Sequence, residues 1–534
     1  MLNPKRSPPP DYYANNLVSF VAGVLDRHGD LLSSDEASFG HAVHQASTDS
    51  RRLFARILSR RGPLVRLDSI AYREVSNLTD ALQELQEVGL LAYCPPVKIR
   101  ELLQLLKRKE LLDLFGLADT RQRKADIMEE VVSSVDDETV AFKMKRACPW
   151  VAVRDPSSLE LYQLLFFGSR HSDLSMFVLR DLGMYGFERY RLDPRHRMFD
   201  DRRSLDRMLD VYRVADAAHD ALEADDAGAM ISAAESMGDF DRNRIIERRR
   251  CKALNSIGRR LERLGHPDAA LAVYEQSTQP PARERRVRIL SKRAQRQEAS
   301  ALLGEILAAP LSHEEREFAS RFGKRIANET GFKVETRVLS RRPEQSIEAF
   351  SAERLTARRG VGLHLESALP CTMFALAYWD WIFCDVQGAF VNEFQMAPMD
   401  LFWPDFSRAR EGLVEDPLEA NAPVVDLVLR TAERKRGISR ALVHWPTWNH
   451  STLDLVVRGL GEDGLRRLLR IVRADLILVR KGFPDLTLLY ESGTFEFVEV
   501  KGPSDQLQPV QRVWLRTLTR AGLACKLLKW QGPA

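Results

Sequence analysis

A strand–turn–strand pattern near the C-terminal end of the chain constrains the fold most strongly. Residues 486–490 form a short β-rich run, residues 491–493 have turn composition, and residues 494–501 alternate polar and apolar side chains. This pattern predicts a β-hairpin. Because strand and helix patterns alternate from residue 473 onward, we expect the hairpin to belong to a C-terminal α/β domain.

The predicted hairpin gathers charged residues. Folding it about Ser492 places Asp485 opposite Glu499, with Cβ atoms roughly 5 Å apart. Lys501 is two residues beyond Glu499 and therefore shares its face. Paired carboxylates suit Mg²⁺ or Mn²⁺, which can activate a water and polarise a phosphate, with the Val500 carbonyl as a further ligand. Lys501 would orient the water or offset charge on the phosphorus. The alternative is an exposed hairpin whose charges share no function.

The rest of the chain is mostly helical in pattern. With 534 residues it is long enough for several domains. Changes in the helix and strand pattern divide the chain into four regions, residues 1–98, 99–199, 200–345 and 346–534. We therefore expect a multidomain, mostly α protein, with helical DNA-binding and helical-repeat regions ahead of the C-terminal α/β domain.

The first region has helical periodicity. Leu17, Phe20 and Val21 fit a period of 3.6, and residues 82–88 continue into the apolar run 89–93. A helix followed by a short strand suggests a winged-helix module. A plain helical core is the alternative, and the sequence does not decide between them.

Residues 99–199 begin with an amphipathic helix over residues 102–112, a break at residues 115–117, and a second helix from Lys124. This pattern resembles a SAP module, a small unit that contacts the DNA backbone; a helical hairpin is the alternative. The basic residues that would face phosphate are Lys107, Arg108, Lys109, Arg121, Arg123 and Lys124.

Residues 200–345 resemble a degenerate tetratricopeptide-type repeat. The segment 261–275 has the small and large residues of one helical hairpin, with Ala270 for close packing and Tyr274 as a filler. Such a region usually serves as a scaffold or binding surface. Helical segments are predicted to continue to about residue 400.

Charge and cysteine content add limits. The net charge is only +4, but it hides basic clusters at residues 248–250, 283–288 and 358–359, each of which is alternatively a solvated helix face. None of the six cysteines has zinc-finger or CxxC spacing, which indicates a reducing compartment without structural disulfides or zinc. We expect no secretory signal or membrane span, and a cytoplasmic, nucleoid-associated protein in a bacterium or a nuclear one in a eukaryote.

The hairpin motif resembles the PD-(D/E)xK, or restriction-endonuclease-like, nuclease core in its VRR-NUC variant. Together with the order of the regions, the layout resembles the Fanconi-associated nuclease family. The lack of the animal members' zinc-finger cysteine pairs points to a short, bacterial-type member. The matching segments are GFPD at 482–485, VEVKGP at 498–503, QRVWL at 511–515, HLES at 364–367, LAYWDWIF at 376–383 and PMDL at 398–401.

The resemblance implies a set of site residues. Glu366 matches the first acidic metal ligand, on a helix ahead of the hairpin, and competes for that role with Glu393 and Asp380, of which Asp380 is expected to brace the core. The remaining members are Asp485, Glu499 and Lys501.

The helix after the hairpin adds one further candidate. It is predicted to start near Pro509, a favourable first-turn residue, with Trp514 on its apolar stripe and therefore in the core. Gln511 lies off that stripe and can hydrogen-bond toward the site. The alternative is a surface glutamine.

The resemblance also implies an activity. The family cleaves 5′ flaps in branched DNA and trims DNA from the 5′ side near interstrand crosslinks, as a 5′ flap endonuclease and 5′–3′ exonuclease of the phosphodiesterase I type. Water activated by Mg²⁺ or Mn²⁺ would attack the phosphodiester without a covalent intermediate. The expected partner is branched or flapped DNA, with no membrane and no small-molecule cofactor. The alternatives are a four-way-junction resolvase and a non-catalytic DNA-binding scaffold.

A 5′ terminus requires a binding pocket, and arginine suits a terminal phosphate. The densest candidate cluster is Arg283, Arg285, Arg286 and Arg288. Among related nucleases with such a pocket, the best local match is Arg286. A solvated basic helix is the alternative.

Overall fold

The structure is a computed structural model that describes residues 11–60, 62–118, 121–171, 186–322, 331–339, 345–356, 359–420, 422–438 and 441–532. Its contacts divide the chain into two compact units, Met1–Gly186 and Phe187–Ala534. The predicted fold class, mostly α with a C-terminal α/β core, is confirmed. Among the described residues, no helix is long and apolar enough to cross a membrane.

In the first unit, polar side chains cap the starts of the second, third and fourth helices. Ser33 and Glu36 form a capping box, and Ser47 and Asn77 accept backbone N–H groups of the helices that follow them. The elements up to residue 93 are α1 (Tyr12–His28), α2 (Ser34–Gln45), α3 (Thr48–Leu58), β1 (Leu64–Arg66), α4 (Leu78–Glu87) and β2 (Leu91–Tyr93).

A second set of elements completes this unit. Its members are α5 (Ile99–Gln104), α6 (Arg108–Phe115), α7 (Lys124–Ser134), α8 (Asp137–Ala147), β3 (Trp150–Val153) and α9 (Pro156–Phe167). Strand β3 lies between β1 and β2 in an antiparallel sheet. Strand β2 thus follows α4 and enters a small sheet, which favours the winged-helix alternative for the first region.

The later elements of this unit fold back onto its first helices. The Tyr162 hydroxyl on α9 donates to the Glu36 carbonyl at 3.1 Å, and the rings of Phe20 and Phe166 lie 5.3 Å apart. Along the chain, helices α5 to α8 lie between strands β2 and β3, which belong to the same sheet. The three boundaries predicted between the four regions stay predictions.

The single helix predicted over residues 102–112 is wrong, because two helices occupy this stretch. Helix α5 ends at Gln104, and α6 begins at Arg108. The Glu110 carboxylate accepts the backbone N–H of Lys107 at 2.6 Å and so caps the start of a new helix. The predicted break after α6 is confirmed at Gly116, whose φ is 68°.

The second unit opens with helices packed in sequence. Ala270 and Tyr274 are buried as predicted, and a Cβ atom at Gly258 would lie 2.8 Å from the Tyr274 ring. The helices are α10 (Arg202–Glu223), α11 (Ala227–Ser236), α12 (Arg244–Arg263), α13 (Pro267–Glu275), α14 (Ala282–Lys292), α15 (Arg296–Ala308) and α16 (His313–Arg321).

The remainder of this unit is an α/β domain. Its strands are β4 (Lys333–Val338), β5 (Gly360–His364), β6 (Leu486–Tyr490), β7 (Phe495–Lys501) and β8 (Cys525–Gln531). Its helices are α17 (Ile347–Thr356), α18 (Ala368–Ala377), α19 (Trp379–Ile382), α20 (Val424–Lys435), α21 (His450–Ala474) and α22 (Pro509–Arg520). The sheet order is β4-β8-β7-β6-β5.

Helical structure predicted up to about residue 400 is wrong at two strands. Strand β4 falls inside the predicted repeat region and β5 just beyond it, and both lie at sheet edges. Strand β4 pairs in parallel with β8, nearly two hundred residues later in the chain. Such pairing depends on distant sequence, and short edge strands leave only a weak alternating pattern.

Apolar layers cover both faces of the sheet. Helices α18, α20, α21 and α22 pack on one face, and α17 packs on the other. Trp514 is fully buried in the larger layer, as predicted, and its Nε1–H donates to the carbonyls of Leu478 and Lys481. A Cβ atom at Gly464 would lie 2.6 Å from the Phe495 ring, so only glycine lets α21 approach the hairpin this closely.

Candidate active site

The hairpin register places Asp485 as predicted. Leu486 pairs with Val498, so Asp485 lies one position beyond the ladder, opposite Glu499. The Val500 backbone N–H donates to Asp485 Oδ2 at 2.8 Å, and the Leu365 N–H donates to the Asp485 carbonyl at 3.3 Å. The Asp485 side chain is therefore held at the junction of strands β5, β6 and β7.

Glu499 and Lys501 form a buried pair beside it. Glu499 has no exposed surface, and Lys501 Nζ lies 2.7 Å from its Oε1 atom. Despite this contact, neither carboxylate oxygen of Glu499 accepts a hydrogen bond of ordinary geometry from the described residues. The buried Thr487 Oγ1 atom on the adjacent strand also has no hydrogen-bond partner among them. Buried polar atoms without partners are costly, so this spot suits an ion or water.

Glu366 lies in a turn, so its predicted place on a helix is wrong. The turn joins β5 to α18, and Glu366 has a φ of 44°. The chain pairs with β6 up to His364 and must change direction before α18 can start. The Glu366 carbonyl accepts the Leu369 N–H at 3.2 Å, so the residue forms the entry to the helix.

The turn brings Glu366 to the hairpin together with a histidine. Ligand atoms of His364, Glu366 and Asp485 all lie within 4.8 Å of one another. His364 Nε2 is 2.8 Å from Glu366 Oε1. Sequence reasoning missed His364, although it lies two residues before Glu366 at the end of a strand. Glu348 on α17 was also missed; it is close enough to raise the pKa of Asp485.

Burial dominates the electrostatics of the two hairpin carboxylates. Burial raises the pKa of Asp485, whereas the hydrogen bond from the Val500 N–H and the positive charge of Lys501 lower it. It also raises the pKa of Glu499 to about 8, with a further increase from the Asp485 charge and an opposing effect of Lys501. Such shifts mark groups that are stabilised as anions when a cation binds beside them.

The donor set fits a divalent cation. Carboxylate oxygens from Asp485, Glu366 and Glu499 converge on a region that is buried on the hairpin side and exposed on the Glu366 side. Such oxygens suit hard cations, and the exposed side leaves room for water and a phosphate. Glu499 lies outside the 4.8 Å group and contacts Lys501, so an ion would have to compete with that ammonium.

The other predicted members of the site are placed as follows. Gln511 is in the first turn of α22, where its Oε1 atom accepts the Gln508 N–H at 2.9 Å. It therefore caps its own helix. A Cβ atom at Gly482 would lie 2.7 Å from Val510, so the loop before Asp485 packs against this helix start. The carbonyl of Val500 stays a predicted ligand.

The two competitors of Glu366 are exposed side chains, and neither joins the group of ligand atoms found among the described residues. Asp380 was predicted to brace the core, and this is wrong. Helix α19 turns its neighbours Trp379 and Trp381 inward and Asp380 outward. Glu366 is thus the acidic residue that the fold brings to the hairpin.

The predicted arginine cluster is neutralised by carboxylates. Each member pairs with a glutamate in the helical region. The pairs are Arg283 with Glu315, Arg285 with Glu262, Arg286 with Glu275 and Arg288 with Glu284. Arg288 also lines a cavity of about 600 Å³ with Arg321 and Arg512.

Some basic residues of the SAP-like segment also donate hydrogen bonds to backbone carbonyls of that segment. Lys107 is exposed. Arg108 Nε donates to the Gln122 carbonyl at 3.1 Å, and Lys124 Nζ donates to the Gln104 carbonyl at 2.9 Å. Arg108 and Lys124 therefore also brace the segment, and their contact with phosphate stays a prediction.

This arrangement of acidic residues and a lysine on a β-hairpin, with a helix packed behind it, defines a metal-dependent DNA nuclease of the PD-(D/E)xK class. A family model described as "VRR-NUC domain" matches residues 422–529, and one described as "FAN1, HTH domain" matches residues 11–92. By these two matches the chain is similar to the Fanconi-associated nuclease family.

Individual relatives support this assignment over most of the chain. A Fanconi-associated nuclease 1 homolog from Pseudomonas aeruginosa is 29% identical and covers 96% of this chain and 95% of its own length. The Homo sapiens Fanconi-associated nuclease 1 is 23% identical over 96% of this chain and 62% of its own length. A crystal structure of paFAN1 bound to 2nt 5′ flap DNA with gap matches with a TM-score of 0.86 and 27% identity, covering 99% of this chain and all of the other.

Proposed function

We propose that this protein is a structure-specific nuclease that cleaves 5′ flaps in branched DNA. The observation that carries the proposal is the convergence of Asp485, Glu366 and the buried Glu499–Lys501 pair at one end of the hairpin. The relatives named above include a structure solved with 5′ flap DNA, which supports flapped DNA as the substrate. Trimming from the 5′ side near interstrand crosslinks, on chromosomal DNA, extends the same chemistry.

Each side chain has a separate part in the reaction. Asp485, Glu366 and Glu499 would hold the cation, which when bound supplies charge that polarises the phosphate and favours ionisation of water. The backbone N–H of Val500 fixes the Asp485 carboxylate in orientation. Lys501, which contacts Glu499, would offset the negative charge that develops on the phosphate oxygens in the transition state. Water attacks directly, without a covalent intermediate.

Mg²⁺ and Mn²⁺ are the proposed cations. Three carboxylates suit either ion, because both accept oxygen ligands. The imidazole of His364 lies 2.8 Å from Glu366 and favours Mn²⁺ over Mg²⁺ if it enters the coordination shell. We therefore expect activity with both ions.

The two alternatives are less well supported. A non-catalytic scaffold has no need of a buried carboxylate–lysine pair beside a second acidic group, and all four residues are present. A junction resolvase would act as a symmetric dimer. The long helical part of the chain would restrict how two such sites approach one junction.

A pocket for the 5′ terminus is proposed at the cavity lined by Arg288, Arg321 and Arg512. Pro509 and Val510 from the start of α22 also line it, so it lies next to the helix that packs behind the hairpin. Arg286 was the favoured residue from the sequence, but Arg288 is the member of that cluster that lines this cavity, so Arg288 is the better candidate.

The test compares substrates of equal length and sequence. The protein is incubated with a 5′ flap, a 3′ flap, a four-way junction and single-stranded DNA, with Mg²⁺, Mn²⁺ or chelator. The proposal expects cleavage of the 5′ flap that depends on the cation and exceeds that of the other substrates. Preferential, symmetric cleavage of the junction would favour the resolvase, and no cleavage with either ion would favour the scaffold.

A further inference from the structure

A basic groove on the second unit has no part in the site described above. One of its cavities, of about 550 Å³, is lined by Phe240, Arg242 and Arg408 among others. An adjoining cavity of about 390 Å³ is lined by residues that include Lys252 and Arg259. The two cavities share Arg248, Gln279 and Pro404 and thus form one continuous feature, which we call the Arg248 groove.

Six cations line this groove, and among the described residues five of them lack acidic partners, whereas Arg244 pairs with Asp400 and Asp405. Within the described ranges, none of the five has a carboxylate at ion-pair distance, in contrast to the neutralised cluster at residues 283–288. They are Arg242, Arg248, Lys252, Arg259 and Arg408. The groove therefore carries uncompensated positive charge, which suits a polyanion.

The carboxylates that line the groove are all paired. Asp241 lies 3.6 Å from Arg207, and Glu247 lies 2.8 Å from Arg250. Asp405 contacts Arg244 at 2.8 Å. These acidic groups are held by side chains other than the five cations, so they do not cancel the charge available to a ligand.

Aromatic rings accompany the cations. The guanidinium carbons of Arg244 and Arg248 each lie 4.9 Å from the centre of the Trp403 ring. Phe240 is 62% exposed at the rim. Alternating cations and aromatic rings in a concave surface are the features that bind single-stranded nucleic acid, because phosphates contact the cations and unpaired bases stack on the rings.

The three consecutive arginines at residues 248–250 have different surroundings. Arg250 is buried against Glu247, and the Arg249 guanidinium lies 4.4 Å from the centre of the Tyr212 ring. Arg248 alone of the three lines the groove, where burial lowers its pKa. Two of the three arginines thus have structural partners, and the third faces the groove.

The groove is tied to the catalytic hairpin through the chain. Ile477 lines it and belongs to the short helix at residues 476–480, which is anchored by the hydrogen bond from Trp514 to the Leu478 carbonyl. Ile477 and Asp485 are eight positions apart in the chain, so the two lie at most about 29 Å apart. Each cavity also falls within the roughly 300–1,000 Å³ that pockets for small organic groups occupy, enough for a nucleotide.

We propose that the Arg248 groove binds single-stranded DNA, as the path of the displaced flap strand. This inference rests on the proposed 5′ flap activity. Stacking within a duplex covers the faces of its bases, so duplex DNA would leave Trp403 and Phe240 without a role. The groove would hold the flap while the hairpin acts at the junction.

The test measures binding in chelator, so that no DNA is cut. Fluorescence anisotropy compares a substrate carrying a 5′ flap of about twelve nucleotides with a nicked duplex that has no flap. The variants are R248Q with K252Q, which removes two cations, and F240A, which removes an exposed ring without disturbing the core. R260Q is the matched control, because Arg260 is on the same helix but pairs with Asp225.

We expect the R248Q/K252Q variant to bind the flapped substrate at least tenfold more weakly. Its plot of log affinity against log salt should lose about 1.4 from the slope, at about 0.7 for each single-strand contact. F240A should weaken flap binding roughly fivefold with the slope unchanged. Affinity for the nicked duplex should change less than twofold, and R260Q should match the wild type on both substrates.

Two outcomes would overturn the proposal: unchanged affinity for the flap, or an equal loss on the nicked duplex, which would make the groove a duplex contact. Flap cleavage by the wild-type protein with Mg²⁺ is measured separately. Cleavage with no effect of the variants refutes the groove alone. Groove-dependent binding of flaps without any cleavage refutes the proposed function alone.

Discussion

Replacing Glu499 by glutamine tests two effects of its charge, one on DNA cleavage and one on the free energy of unfolding. The side chain has no exposed surface, and burial raises its pKa to about 8 from 4.5. Glutamine has nearly the same shape but carries no charge. We therefore expect E499Q to lose cleavage and, in the absence of a divalent cation, to be more stable than the wild type at neutral and alkaline pH.

The direction of the stability change with pH follows from the difference in proton binding by Glu499 between the folded and unfolded states. In the folded protein Glu499 keeps its proton until the pH approaches 8, whereas in the unfolded chain it loses the proton near pH 4.5. Between these values the unfolded state binds fewer protons, so folded stability is greatest below pH 4.5 and falls as the pH rises to 8. At pH 7 the accumulated cost is at most about 3.4 kcal/mol, at 1.36 kcal/mol for each pH unit between 4.5 and 7.

Urea unfolding in chelator at pH 5.5, 7 and 8.5 measures the effect. E499Q should exceed the wild type in stability by an amount that grows with pH and levels off above pH 8. Adding Mn²⁺ at one hundred times its dissociation constant should stabilise the wild type by about 2.7 kcal/mol. The variant lacks a charged ligand and should gain much less.

Two results would refute this reasoning. If E499Q is less stable than the wild type at pH 8.5, burial does not disfavour the Glu499 anion. If Mn²⁺ stabilises both proteins equally, Glu499 is not a ligand. E496Q is a suitable control, because Glu496 is on the same strand but pairs with Lys526.

Three further changes test other parts of the account. D485A or K501A should lower cleavage at least about a hundredfold with DNA affinity within twofold in binding assays; near wild-type cleavage by either would mean that the catalytic centre lies elsewhere. A flap with a 5′ phosphate should be cut faster than one with a 5′ hydroxyl, and R288A should reduce that preference; equal rates for the wild type would remove the need for a pocket. R410M should cost about 3 kcal/mol in urea unfolding, because Arg410 and Asp400 form a fully buried pair; an unchanged midpoint would contradict this.

Local patterns in the sequence are sufficient to predict the hairpin. Strand alternation and a short turn fix the register, and for this reason the sequence alone predicts that Asp485 and Glu499 lie opposite each other. The helix after the hairpin is equally predictable, since Pro509 marks its start and its apolar stripe includes Trp514.

Features that depend on distant residues could not be predicted. Strand β4 needs β8 as its partner, and Glu499 is buried by helices that come from many parts of the chain. The cluster at residues 283–288 looked like a phosphate site because its glutamate partners, such as Glu262 and Glu315, are remote in sequence. The Arg248 groove was visible only as a run of three arginines.

The position of a bound cation would show whether Asp485, Glu499 and Glu366 form one metal site. A crystal of the protein with flapped DNA and Mn²⁺ gives the ion from its anomalous scattering. We expect a peak within about 2.5 Å of oxygen atoms of Asp485, Glu499 and Glu366. A peak away from the hairpin, or one with Glu393 or Asp380 in the place of Glu366, would contradict it.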